Sequence, residues 1–277
     1  MIPNFSLYNN KPIPALGFGT YKLTQAGGIE SIKSALNCGY RLIDTAYNYQ
    51  NEREVGQAIQ ESGVAREDIQ VISKLPGRFQ RYDDAKQALA TSLENLGLDY
   101  VDYYLIHWPN PKQGFYVEAF QALLDAKKEG LIKEVGVCNF LPEHLTRLKE
   151  ETGEYPAINQ IELHPYFSQP ELREFHQKHE IVTQAWSPLL RTSLVDEEPV
   201  LRELAAKYDK SIYQIILRWI FQLGVIAIPK SSSRARQEQN QAIFDFELSS
   251  TEVDQICALD RPDGRQKNQD PAVYEEF

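Results

Sequence analysis

The chain has 277 residues, 42% of them apolar, enough to bury a large core and close to the roughly 250 residues of a one-domain α/β barrel. Its formal net charge of −10, from 39 acidic and 29 basic residues, argues against nucleic acid, whose phosphates demand a broad basic face. Three widely spaced cysteines (Cys38, Cys138, Cys257) give no disulfide framework, no apolar run approaches the roughly 20 residues of a membrane span, and the start, MIPNFSLYNN, lacks the features of a signal peptide.

A cytoplasmic protein is therefore expected. In chain order, NFSLYNNKPIP reads as a short hairpin turning at Asn9–Asn10, placed to cap the bottom of the fold. Strand-like runs then alternate with amphipathic helical ones. The strands are LGFGT (16–20), RLIDT (41–45), IQVISKL (69–75), VDYYLIH (101–107), EVGVCN (134–139), INQIEL (158–163), IVTQAWS (181–187) and VIAIPK (225–230). Between them, YDDAKQALATSLENLG sets Ala85, Ala88, Leu89, Ser92, Leu93 and Leu96 on one helical face, and VEAFQALLDAKKEG runs to Gly130, a helix stop. Such alternation demands a parallel sheet. Eight units without a linker favour closure, which predicts a single (β/α)8 TIM barrel over residues 1–277 with a hairpin cap and extra helices. The end, RPDGRQKNQDPAVYEEF, is polar and irregular, and a loose tail over one face is expected. No apolar stripe is left exposed by the pattern, which leans towards a monomer.

Barrel chemistry sits at the C-terminal ends of strands. Counting by twos, Asp44 shares a face with Leu42, Lys74 with Ile72 and His107 with Leu105. Each is the last inward position of its strand, on three consecutive strands, and Tyr49 follows in the loop beyond Asp44. Alone, each is explained as well by a turn former, a solvated charge or a core histidine. Together they converge. An ionised aspartate closing a buried strand is costly unless paired, and Lys74 is the partner it needs. A free tyrosine, with a pKa of about 10, is a weak acid at neutral pH. The buried ammonium of Lys74 is expected to lower that value, Asp44 to hold Lys74 charged, and His107 to bond a substrate oxygen. A tuned acid facing an oxyanion site is what carbonyl reduction needs, together with a hydride source.

No GxGxxG follows any strand and no GxxxxGK(S/T) occurs, so neither a Rossmann nor a Walker loop is indicated. Barrels bind phosphate on the loops after strands seven and eight. There stands PKSSSRARQEQN (229–240), where Lys230, Ser231, Ser233, Arg234 and Arg236 gather at a helix start. An ordinary serine-capped helix with solvated charges explains that stretch equally well.

Three motifs then fall in order. GYRLIDTAYNYQNEREVG (39–56), LGLDYVDYYLIHWP (96–109) and IPKSSSRARQEQN (228–240) resemble the successive signatures of the aldo-keto reductase family, over essentially the whole chain. LPGRFQRYDDA and HWPNP are most similar to its shorter bacterial enzymes of the diketogluconate reductase type. The resemblance implies an NADPH-dependent reductase of aldehydes and ketones with the tetrad Asp44, Tyr49, Lys74 and His107. It further implies that Asn139 and Gln160 hold the nicotinamide carboxamide, that Trp186 stacks on the ring, and that Ser187 and Leu189 line the pyrophosphate. Lys230, Ser231, Ser233 and Arg236 would grip the adenosine phosphate, with Gln239 and Asn240 at the adenine. Gly19, Thr20, Tyr21, Asn48 and Trp108 would surround cofactor and substrate. Cys138 stands where the family usually has serine, and a thiol is a poor donor to the carboxamide. Tyr21, Trp186 and Gln239 also depart from the commonest residues.

Two rival readings share the barrel. A Schiff-base lyase would use Lys74, but an imine-forming lysine must lose its proton and Asp44 opposes that. A non-catalytic NADPH-binding sensor would need no intact tetrad. A metal site is not expected, since no two histidines form an HxH pair at a strand end.

Overall fold

The hairpin comes first. In the computed structural model, which describes residues 2–190 and 193–277, strands β1 (Asn4–Ser6) and β2 (Pro12–Pro14) pair antiparallel. Asn10 turns the chain at φ 61°, a left-handed conformation that asparagine tolerates, and the Leu7 N–H donates to Lys11 O at 2.9 Å. Leu7 and Ile13 bury against Leu42, Ile72, Leu105, Ile158 and Ile226, so the hairpin plugs the N-terminal end of the sheet's interior.

The eight expected strands follow as one parallel sheet in sequence order: β3 (Phe18–Gly19), β4 (Leu42–Asp44), β5 (Gln70–Leu75), β6 (Val101–Ile106), β7 (Ile132–Cys138), β8 (Ile158–Glu162), β9 (Val182–Trp186) and β10 (Ile226–Ala227). Closure comes from the first and last. Leu16 bridges Ala227 in parallel, and the Gly17 and Gly19 N–H groups donate to Ala227 O and Pro229 O at 2.9 and 3.1 Å. Several strands are shorter than the apolar runs suggested, because runs mark burial and the outer residues bury in loops.

Helices α1 (Gln25–Cys38), α2 (Glu52–Glu61), α3 (Tyr82–Leu96), α4 (Tyr116–Lys128), α5 (Pro142–Thr152), α6 (Pro170–Lys178), α7 (Pro199–Tyr208), α8 (Ile212–Gln222), α9 (Arg234–Gln241) and α10 (Ser250–Cys257) join the strands, with short 3-10 turns between. On α3, Ala85, Ala88, Leu89, Ser92 and Leu96 are buried and Leu93 is partly so, as its period requires. Gly130, at φ 85°, ends the α4 segment as expected. A second, larger core lies between the helices and the outer face of the sheet.

The tail is not loose. It is irregular, but it is pinned along its length. Arg261 N–H donates to Tyr166 O at 3.1 Å and its guanidinium lies 3.8 Å from that ring's centroid. Gln266 N–H donates to Glu162 Oε1 at 2.8 Å. At Glu276 the Asn110 amide clasps the main chain from both sides, donating to Glu276 O at 2.8 Å and accepting from Glu276 N–H at 2.9 Å. The anchors at Gln266 and Glu276 join side chain to backbone, which a polar sequence cannot reveal by periodicity.

Candidate active site

Three consecutive strands end in polar residues at one rim. Asp44 closes β4, Lys74 is the penultimate residue of β5, and His107 follows β6 with its N–H on Leu75 O at 2.9 Å. Lys74 is fully buried, its Nζ 2.7 Å from Asp44 Oδ1 and 2.8 Å from Thr45 O. Asp44 Oδ2 accepts from Gln160 Nε2 at 2.7 Å. Tyr49 sits in a single 3-10 turn, Tyr47–Tyr49, that brings its ring over this pair. Lys74 Nζ lies 5.0 Å from the Tyr49 ring centroid, and the His107 ring centroid is 6.1 Å from it. Tyr21 packs edge-on against Tyr49 at 5.0 Å. The structure thus brings all four proposed catalytic side chains together.

Burial is the largest effect on Lys74 and would lower its pKa, but the charge and hydrogen bond of Asp44 together with the neighbouring Tyr49 and Cys138 outweigh it, and the ammonium is held above its ordinary range. That opposes Schiff-base chemistry. For Tyr49 the expected direction is reversed. Lys74 does pull the phenol down, as anticipated, but burial is the larger effect and the pKa is pushed up to about 12. Sequence shows the neighbour and hides the desolvation. The consequence is a phenol that keeps its proton at neutral pH, as a proton donor must.

A cavity of about 500 Å³ opens over this cluster. Gly19, Tyr21, Asp44, Tyr49, His107, Trp108, Cys138, Asn139, Gln160, Trp186, Ser187, Leu189 and Lys230 line it. Asn139 and Ser187 hold φ of 63° and 49°, left-handed backbone of the kind stored at functional sites. Asn139 bridges the rim, its Nδ2 on His107 O at 3.1 Å and its Oδ1 taking the Trp186 indole N–H at 2.8 Å. Burial pushes the Cys138 thiol well above its ordinary range, so it is no thiolate nucleophile.

Other expected residues, Lys230 apart, stand back from the cavity. Thr20 is buried with its hydroxyl on Asp44 O at 2.9 Å. Asn48 is on the rim, accepting from Arg78 Nη1 at 2.7 Å. Ser231 is buried, and its hydroxyl donates to Ser233 O at 3.2 Å, turned into its own loop. Lys230, Ser233, Arg236 and Gln239 are exposed around the start of α9, and Asn240 is buried. Gln237, which the sequence reading passed over, fixes that loop by donating to Ser31 O and Ser231 O at 2.9 and 3.0 Å.

Two further residues were missed. Gln184 lies on the inward face of β9, two residues from Trp186, and its Oε1 takes the second Gln160 amide proton at 2.8 Å. The period-two count could have found it. Glu276 could not have been found so. Its carboxylate accepts from Asn48 Nδ2 at 2.9 Å and Gly77 N–H at 3.0 Å, and Oε1 stands 2.8 Å from His107 Nδ1 in a contact too bent for an in-line hydrogen bond. Tyr274 packs on Trp108 with ring centroids 4.4 Å apart. The tail therefore supplies one side of the mouth.

A family model described as the aldo/keto reductase family matches residues 15–261. The 2,5-diketo-D-gluconic acid reductase B of Corynebacterium sp. (strain SHS752001) is 45% identical over 276 residues, covering 100% of this chain and 99% of that protein. Methylglyoxal reductase DkgA of Yersinia pestis is 43% identical over 275 residues, with coverage of 99% and 98%. A solved mutant of Gox0644 in complex with NADPH matches with a TM-score of 0.94 and 37% identity, covering 99% of each chain.

Proposed function

This chain belongs to the aldo/keto reductase family and is an NADPH-dependent oxidoreductase of carbonyl compounds, and we propose that Tyr49 is its proton donor, backed by Lys74 and Asp44, with His107 holding the carbonyl oxygen. The observation that carries this division of roles is the convergence of the four side chains at one end of the cavity. The residues present fit the cofactor. Both Gln160 Nε2 protons are taken by Asp44 and Gln184, so its Oε1 is left as an acceptor for an amide proton. Gly19 lines the cavity where a Cβ would press on Ile228 O at 3.2 Å. Arg236 forms no ion pair among the described residues.

When bound, NADPH supplies the hydride. The chain does the rest. Tyr49 passes its proton to the oxygen on which charge develops, and His107 bonds that oxygen from a second direction. Lys74 compensates the phenolate that Tyr49 becomes, and Asp44 keeps Lys74 charged. Asn139 and Gln160 would hold the carboxamide, Trp186 the ring face, Ser187 and Leu189 the pyrophosphate, and the 230–240 stretch the adenosine end.

For substrates we read small aldehydes, dicarbonyls or keto-sugars, since the two relatives are named for a diketo sugar acid and for methylglyoxal. An NADPH-oxidation screen across those classes tests the reading, and no turnover with any of them would defeat it. The hairpin and the tail pack on the same barrel, which supports residues 1–277 as one domain, and a monomer is proposed with it; sedimentation is the check. No helix among the described residues is long and apolar enough to cross a membrane, and a cytoplasmic location is proposed, to be checked by cell fractionation.

Two effects follow for the cofactor. Arg236→Ala should weaken NADPH about ten- to a hundredfold, because a charge-assisted hydrogen bond contributes roughly 1.5–3 kcal/mol. NADH should hardly change, as it lacks the ribose phosphate. Titration of both cofactors at fixed ionic strength decides it, and equal losses would mean Arg236 merely supports the loop. NADPH should also quench tryptophan fluorescence through Trp186. Trp219 is fully buried and does not line the cavity, whereas Trp108 does, so Trp186→Ala should lose a large part of the quench and not all of it. Undiminished quenching in that variant would remove the stacking role.

A further inference from the structure

We propose that Gln184 is a positioning residue for the cofactor, one that locks the Gln160 amide with its carbonyl free to receive the nicotinamide carboxamide. The proposal rests on the reductase reading above and deepens its account of the cofactor site.

Gln184 lies in the middle of β9, in register with Gln160 on β8 and with Ile226 on β10. It is fully buried and does not line the cavity, so it has no direct reach to a ligand. Its surroundings call for an apolar residue. Val182, two positions earlier on the same face, packs on the interior layer of Leu42, Ile72, Leu105, Ile158 and Ile226. An amide stands there instead, and its Nε2 has no hydrogen-bond partner among the described residues. A buried donor left unpaired costs stability and calls for an explanation. The one polar contact this side chain makes is through Oε1, to Gln160 Nε2 at 2.8 Å.

That contact fixes an orientation. The amide of Gln160 offers a two-proton nitrogen and an accepting oxygen. Asp44, ion-paired with Lys74, accepts one of the two protons through Oδ2 at 2.7 Å and so selects the nitrogen end. With that anchor alone the amide plane could still swing about its single bond to Asp44. Gln184 Oε1 takes the second proton and stops the swing. Gln160 lines the cavity, and Oε1 is the polar atom it has left for a ligand. Gln184 cannot relieve its own stranded donor by turning its amide round, because two nitrogens would then face each other. The direction of the row is thus set at Asp44, and the unpaired proton falls at its far end, away from the cofactor.

The test is calorimetric titration of wild type, Gln184→Met, Gln184→Leu and Gln184→Glu with two ligands. One is NADPH. The other is 2′-phosphoadenosine 5′-diphosphoribose, which keeps the phosphates and adenosine and lacks the nicotinamide. Methionine keeps the length and loses the oxygen. Gln184→Met should weaken NADPH about three- to tenfold, the contribution of one aligned hydrogen bond, and should leave the truncated ligand within about twofold. Gln184→Leu should repeat that split and stands in if the methionine variant does not fold. Gln184→Glu keeps an oxygen facing Gln160 in either protonation state, and NADPH affinity should stay within about twofold of wild type. Unchanged NADPH affinity in the methionine and leucine variants would overturn the proposal. So would equal losses for both ligands, which mark a general effect on the fold, or a glutamate variant as weak as methionine. Wild type binding neither ligand would instead overturn the cofactor reading, and this proposal with it.

Discussion

Tyr49→Phe should lower carbonyl reduction by about 10²–10⁴-fold, the usual contribution of general acid catalysis, while NADPH affinity stays within about twofold. The phenol acts on the developing alkoxide, so its loss is felt in the transition state and not in cofactor binding. Phenylalanine preserves the ring and its edge contacts with Tyr21 and His107, which separates the proton from the packing. Single-turnover reduction together with an NADPH titration makes the measurement. A variant retaining a large share of wild-type turnover would transfer the acid role elsewhere. The raised pKa of Tyr49, about 12, adds a second sign: the acid stays protonated through neutral pH, so reduction should not fail for want of that proton below about pH 10.

Lys74→Met should be comparably severe in rate and should also weaken the fold. The substitution strands Asp44, 3% exposed, without its countercharge, and breaking a buried pair in this way costs about 3–5 kcal/mol. Because the Lys74 pKa is raised in the folded protein, its contribution is fully present below the ordinary value near 10.5 and is lost as pH rises through the folded value. At neutral pH the whole cost should therefore appear. Adding Asp44→Asn to Lys74→Met should recover much of the stability in chemical denaturation, since no unpaired charge remains, and should recover none of the activity. Recovery of both would mean the pair serves the fold alone.

The sequence exposes the tetrad because a barrel imposes a strict rule on its strands. Inward positions alternate, and a charged residue at the last of them has few reasons to be there. Asp44, Lys74 and His107 obey that rule, and Gln184 shares the inward alternation one inward position earlier in its strand, though the surrounding IVTQAWS reads as an apolar run. What stays hidden depends on three dimensions. The Tyr49 pKa moves with burial, which residue types do not encode. The Ser231 hydroxyl turns inward through a bond with Ser233, and the motif alone suggests the opposite. Glu276 reaches His107 across 169 positions through loop contacts that leave no period, and a polar tail looks the same whether tethered or free.

That tether has a consequence for how such a barrel can change. The tail is held at Gln266 through Glu162 and at Glu276 through Asn110, and both grips fall on its main-chain groups. Main-chain grips are indifferent to side-chain identity. The stretch between them is therefore a span with two fixed ends, whose residues face the mouth at Lys267, Gln269 and Tyr274. Bond-making residues are written into strands that cannot shift without unseating the core, while a separate, replaceable span borders the same opening. Preference for one compound or another can drift in that span while the proton and hydride chemistry stays where it is.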